Sequence, residues 1–164
     1  MDPVHFSAEE VLKMAIDIEK NGEKFYQDAA KAVSNEKLRT LYTTLANDEA
    51  KHTAYFSRLK DLLLKDGKEE VFTDEFEEAS MYITAYADSK VFTEPTEGAQ
   101  YAKVAGDERG ALELAINMEK DSLLFYYELL RAVRDKDRGI INEIINEEKE
   151  HLKKLTDMKN EIFG

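Results

Sequence analysis

The 164-residue chain contains no cysteine, only two prolines and only seven glycines. The lack of cysteine excludes disulfides, a thiolate nucleophile, zinc fingers, iron-sulfur clusters and a rubredoxin-type iron centre. Any redox metal held by these residues must sit on nitrogen and oxygen. Long hydrophobic runs are lacking too. Charged residues interrupt every apolar stretch well short of the ~20 residues that a membrane span needs, so no membrane association is expected. The stretch Met1 to Glu10 has neither the charged nor the apolar region of a signal peptide, and a cysteine-free chain suits a reducing compartment. A soluble, cytoplasmic protein is the expectation. Basic residues are in deficit, 23 against 35 acidic, for a net charge of −12. Such a charge repels nucleic acid and anionic membranes and attracts cations, although most of it belongs to a solvated helix surface.

What is present is helical. Stretches rich in Ala, Leu, Glu and Lys carry apolar residues at helical spacing, and the chain length suits one domain, residues 1–164, able to bury a core unaided. A first helix over about 8–33 opens on Ser7-Ala8-Glu9-Glu10, which reads as a capping box, and Ser34-Asn35 breaks it. A second, over 36–65, presents Leu38, Leu41, Leu45, Phe56, Leu59 and Leu63 on one face, with Gly67 as its C-cap. A third follows Asp107 and runs over 108–134, and a fourth covers 138–162. Between the pairs lies a crossover, residues 66–107, long enough to span a bundle. In it Asp74 to Ala87 has the pattern of a short amphipathic helix and Thr93 to Gly98 that of a loop.

The two pairs repeat one another. Ala15-Ile16-Asp17-Ile18-Glu19-Lys20 recurs as Ala115-Ile116-Asn117-Met118-Glu119-Lys120, and Phe25-Tyr26 as Phe125-Tyr126. Asn47-Asp48-Glu49-Ala50-Lys51-His52 is matched by Asn146-Glu147-Glu148-Lys149-Glu150-His151. Two copies of one helical hairpin therefore make an all-α, antiparallel four-helix bundle.

The repeat carries chemistry. Residues three apart share a helix face, so Glu49 with His52, and Glu148 with His151, each present an oxygen and a nitrogen inward. Glu19 falls on the apolar stripe of Leu12, Ala15, Ile16, Tyr26 and Val33, where a lone carboxylate would be costly, and Glu119 occupies the equivalent place. One Glu from each of two helices plus Glu-x-x-His from each of the other two is the ligand pattern of di-iron carboxylate bundles. Two divalent cations would offset four negative charges, and without them some carboxylates should hold protons. Mixed carboxylate and imidazole donors suit two iron ions first, with manganese or zinc also able to bind. Tyr26 and Tyr126, two turns beyond Glu19 and Glu119, are placed to donate hydroxyl hydrogen bonds to ligand carboxylates. Tyr55, Tyr82, Tyr86 and Tyr127 are read as packing residues. His5, with no Glu three residues before it, is not a ligand candidate.

These residues, the paired Glu-Lys-x5-Tyr segments and the long crossover resemble the rubrerythrin-like branch of the ferritin-like superfamily over nearly the whole chain. The resemblance implies that Glu49 and Glu148 bridge two metals, that Glu19 and Glu119 are terminal ligands, and that His52 and His151 each cap one metal. Rubrerythrins carry a further Glu one turn after the third-helix ligand, where this chain has Ser122. The six-ligand set is closer to bacterioferritin, and slow peroxide turnover is the expected consequence. With no rubredoxin domain, electrons must come from an external donor such as rubredoxin or a small reductant. The expected function is a redox-active di-iron protein acting on oxygen or hydrogen peroxide. The alternatives are iron oxidation and storage, or a metal-stapled interaction module. Exposed apolar residues in the crossover would fit a homodimer.

Overall fold

The computed structural model describes residues 6–88 and 107–164 of the chain, so His5 and the Thr93–Gly98 segment lie outside the described residues. Among the described residues there are five α-helices: α1 Ala8–Ala32, α2 Glu36–Asp66, α3 Phe76–Asp88, α4 Glu108–Ala132 and α5 Asp135–Phe163. A short 3-10 turn, Lys68–Glu70, follows α2. The architecture is the expected four-helix bundle, with α1 and α2 as one hairpin, α4 and α5 as the other, and α3 in the crossover.

Local chemistry sets most of the ends. The Ser7 hydroxyl accepts from the Glu10 amide while the Glu10 side chain accepts from the Ser7 amide, completing the capping box. Asn35 caps α2 by accepting from the Lys37 and Leu38 amides, and Asp107 caps α4 by accepting from Gly110. Gly67, at φ 96°, ends α2 in the left-handed half of backbone space and donates its amide to the Leu63 carbonyl.

One boundary departs from expectation. Helix α4 stops at Ala132 rather than Arg134, and α5 begins at Asp135 rather than near residue 138. The cause is a contact distant in sequence. Val133 is extended and pairs with Phe72 in an isolated antiparallel bridge, while Thr73 donates to the Ala132 carbonyl and Arg134 to the Val71 carbonyl. Backbone groups that would have continued the helix are satisfied by the start of the crossover.

These contacts also fix the topology. The end of α2 lies beside the α4–α5 turn, whereas the start of α4 lies at the opposite end, where the Ser34 amide reaches Glu108. At that same end Lys37 of α2 pairs with Glu161 of α5. The crossover therefore begins and finishes at opposite ends of the bundle.

Two apolar clusters fill the interior. One gathers Leu12, Phe56, Leu63, Phe72, Phe125, Leu129 and Ile141 toward the α4–α5 turn. The other gathers Phe25, Leu38, Tyr42, Leu45, Leu112 and Leu155 toward the α1–α2 turn. Truncating Phe72, which is buried and whose ring lies 4.6 Å from that of Phe76, removes both apolar area and the packing of the bridge. Phe72→Ala is expected to destabilise the fold by about 3–5 kcal/mol. Chemical denaturation checks this; a loss under 1 kcal/mol would show that the crossover contributes little to holding the second hairpin.

Candidate metal centre

Six of the seven buried polar or charged side chains in the described residues are Glu19, Glu49, His52, Glu119, Glu148 and His151, none more than 4% exposed. Each expected site residue comes from the helix predicted for it: Glu19 from α1, Glu49 and His52 from α2, Glu119 from α4, Glu148 and His151 from α5. The structure brings them together as two overlapping groups. Glu19, Glu49, His52 and Glu148 form one, and Glu49, Glu119, Glu148 and His151 form the other, with one candidate ligand atom per residue and those atoms within 4.8 Å of one another. Glu49 and Glu148 belong to both.

The imidazoles present Nδ1 to the cluster. His52 Nδ1 lies 3.2 Å from Glu19 and 3.0 Å from Glu148, and His151 Nδ1 lies 3.3 Å from Glu49 and 3.6 Å from both Glu119 and Glu148. The two rings are stacked, 6.2 Å between centroids. Glu49 Oε1, Glu148 Oε1 and His151 Nδ1 are buried and make no hydrogen bond despite these short approaches. Buried polar atoms are rarely left so, and here they are oxygen and nitrogen donors of the kind that iron, manganese or zinc accepts. The residues fit a two-metal centre.

Both tyrosines reach the cluster, but across the bundle. Tyr26 on α1 donates its hydroxyl to Glu119 on α4, and Tyr126 on α4 donates to Glu19 on α1. Each hairpin thus positions the other's carboxylate. Ser122 turns its hydroxyl to the Met118 carbonyl at 3.0 Å. Among the tyrosines read as packing, Tyr55 is buried and its hydroxyl reaches Asp137, while Tyr82 and Tyr127 are exposed, Tyr127 beneath Lys149. The side chain of Tyr86 lies outside the described residues.

Three participants were not singled out from sequence. Glu147 on α5 lies 2.7 Å from His52 Nε2, and Asp48 on α2 lies 3.3 Å from His151 Nε2. Both precede a ligand Glu in the repeated segment, which was the available signal. Gly22, buried one turn after Glu19, lets α1 pass close to Glu49: a Cβ there would stand 2.9 Å from Glu49 Oε2 and 3.3 Å from its Cδ.

Left to themselves, Glu49, Glu119 and the two histidines favour their protonated forms. Burial, reinforced by the charges of Glu148 and Glu19, pushes Glu49 well above the usual carboxylate range, and burial with Glu148 does the same to Glu119. Burial also disfavours the charged form of Glu148, but the close approach of Glu119, His151 and His52 outweighs it and holds this carboxyl below the usual range. Burial disfavours imidazolium as well. Close contacts with Glu148 and Glu19 nonetheless push His52 up to about 11, and those with Glu119 and Glu148 push His151 up to about 10. Binding a cation must therefore expel protons.

A family model described as Rubrerythrin matches residues 10–159. Among solved structures, the chain is similar to one described as a ferritin-like diiron-carboxylate protein from Thermotoga maritima, 27% identical, with a TM-score of 0.66. That alignment covers 96% of this chain and 97% of the other. No curated protein matches it. Among the described residues, no helix is long and apolar enough to cross a membrane.

Two outcomes are expected. In excess chelator, both histidines bind more protons folded than unfolded between their ordinary value of 6.5 and about 10, and the raised Glu49 and Glu119 act in the same direction. Glu148, with its depressed value, is ionised in both states over this window and adds no slope. Thermal stability should therefore fall as pH rises from 6.5 to 10; a rise would contradict the proton assignments.

The second outcome concerns Gly22→Ala, a change that in an ordinary helix interior gains about 0.5–1 kcal/mol. Here the added methyl crowds Glu49. Helicity should be retained while affinity for two zinc ions, measured by competition with a chromophoric chelator, drops. Unchanged affinity would mean that Glu49 yields freely.

Proposed function

The chain belongs to the rubrerythrin family, and from that membership and its shared carboxylates we propose a redox-active di-iron protein whose reduced centre reacts with oxygen or hydrogen peroxide. One observation carries this reading: Glu49 and Glu148 lie in both ligand groups, the arrangement needed for two carboxylates to bridge a metal pair. Glu19 with His52, and Glu119 with His151, complete the two halves as terminal ligands. Two iron ions held there would supply Lewis acidity and one-electron redox capacity, shared between adjacent centres.

The chain's own residues prepare the site. Tyr26 and Tyr126 hold Glu119 and Glu19 by hydroxyl donation, limiting the positions available to the terminal carboxylates. Burial between two apolar clusters excludes bulk water from the ligand oxygens. His52 and His151 surrender protons as cations enter and so couple loading to pH. Ser122 contributes no carboxylate, its hydroxyl being engaged by Met118, so there are six ligands rather than seven and peroxide turnover is slow. With no cysteine in the chain, electrons are delivered by an external donor.

The test begins with iron loaded anaerobically. Two ions per chain are expected, with fewer in Glu49→Ala or Glu148→Ala because a bridging residue serves both. Stopped-flow absorbance should then show one equivalent of peroxide oxidising the reduced centre. Ser122→Glu, three residues beyond Glu119 on the same face, should speed turnover under a fixed external reductant. Full retention of two ions in both alanine variants would remove the bridging assignment, and a reduced centre inert to both oxidants would remove the redox function.

A further inference from the structure

The ligand sets of the two halves match, but the groups behind the histidines do not. Each imidazole offers Nδ1 to the cluster and turns Nε2 to an acid of the opposite hairpin, His52 to Glu147 and His151 to Asp48. An acid accepting from Nε2–H fixes the tautomer with the Nδ1 lone pair facing inward and makes that nitrogen a better donor. The strength of this effect depends on how close the acid lies and on how much of its charge is already neutralised.

On both counts the halves differ. Glu147 stands 2.7 Å from His52, whereas Asp48 stands 3.3 Å from His151. Asp48 also accepts from Lys51 at 2.7 Å, and that ammonium withdraws charge from the imidazole's partner. In the repeated segment Lys51 has Glu150 as its counterpart, so an acid stands where a base would have neutralised Glu147. Lys51 also feels Glu147, but this attraction is weaker than its hydrogen bond and pairing with Asp48. Exposure works the other way: Glu147 is 53% exposed and Asp48 21%, so water screens Glu147 more. The shorter contact, and the lack of a cation paired with Glu147 among the described residues, outweigh this screening, because a charge-assisted hydrogen bond at contact distance is screened less than a distant charge.

We propose that Glu147 and Asp48 are positioning residues that aim the two ligand imidazoles, and that the Lys51/Glu150 difference makes the half-site at His52 the tighter of two unequal metal positions. This rests on the two-metal reading above. Neither acid touches the metal pair's shared carboxylates in the hydrogen bonds described, so their influence passes through the imidazoles.

Anaerobic titration of the full chain with Co2+, followed by visible absorption, tests the proposal, with far-ultraviolet circular dichroism confirming the fold of each variant. Wild type should bind two Co2+ in two resolved steps. Glu147→Gln keeps an acceptor but removes its charge, and should weaken the tighter step by about 10–100-fold while sparing the other. Asp48→Asn should weaken the looser step. Lys51 is 72% exposed and touches no ligand, so Lys51→Met should tighten the looser step and narrow the gap, and Glu150→Lys should narrow it by weakening the tighter step. Two steps of equal affinity in wild type, or a gap unchanged by both Lys51→Met and Glu150→Lys, would overturn the asymmetry and leave the two-metal reading intact. Failure of wild type to bind any Co2+ would overturn both.

Discussion

Four carboxylates and two imidazoles buried at the middle of a bundle form the constraint on which this structure turns. Charges removed from water are tolerated only when paired, protonated or bound to a cation, and the chain supplies partners to the terminal carboxylates and to the outer nitrogen of each imidazole while leaving atoms of Glu49, Glu148 and His151 open toward the centre. The partners come largely from the opposite hairpin. Tyr26 serves Glu119, Tyr126 serves Glu19, Glu147 serves His52 and Asp48 serves His151. Neither hairpin could bury its own ligands alone, so forming the centre and joining the hairpins are one event.

The apolar clusters gain meaning from that arrangement. One lies toward each end of the bundle, and together they sandwich the polar layer. Aromatic rings form the boundary on both sides: Tyr42 stacks on Tyr26 at 5.8 Å and Phe56 stacks on Tyr126 at 5.4 Å. These rings fix the tyrosines whose hydroxyls hold the terminal carboxylates. Packing in the core is thereby transmitted to the position of ligand oxygens, which is how a hydrophobic substitution far from any cation can alter the chemistry of the centre.

Much of this was legible in sequence because it depends on short intervals. Glu49 and His52 share a face by helical geometry, as do Glu148 and His151, and the second copy confirms the first. Ser7, Asp107 and Gly67 mark helix ends through their own side chains or backbone freedom, and were read correctly. The end of α4 was not, because Val133 and Arg134 are drawn out of the helical path by Val71 to Thr73, a segment distant in sequence whose pairing is visible only once the crossover is in place. Gly22 escaped for the same reason. A helix-interior glycine reads as a weak point until the Glu49 side chain is seen lying against it. Asp48 and Glu147 resembled surface acids of a highly charged chain, and only the fold turns each toward an imidazole of the other hairpin.

The repeat matches the donors more faithfully than their surroundings. Gly22 corresponds to Ser122, Lys51 to Glu150, and the rings stacked on the two tyrosines, Tyr42 and Phe56, both come from α2, where α5 has Ile141 and Leu155 at the matching positions. None of these differences changes a ligand, but each lies against something that does the holding. Gly22 sets how near α1 comes to Glu49, and Lys51 sets how much of Asp48's charge is left for His151. A centre with two-fold ligands can therefore be unequal without altering any donor, since the electron density at a nitrogen and the reach of a carboxylate are set one bond further out.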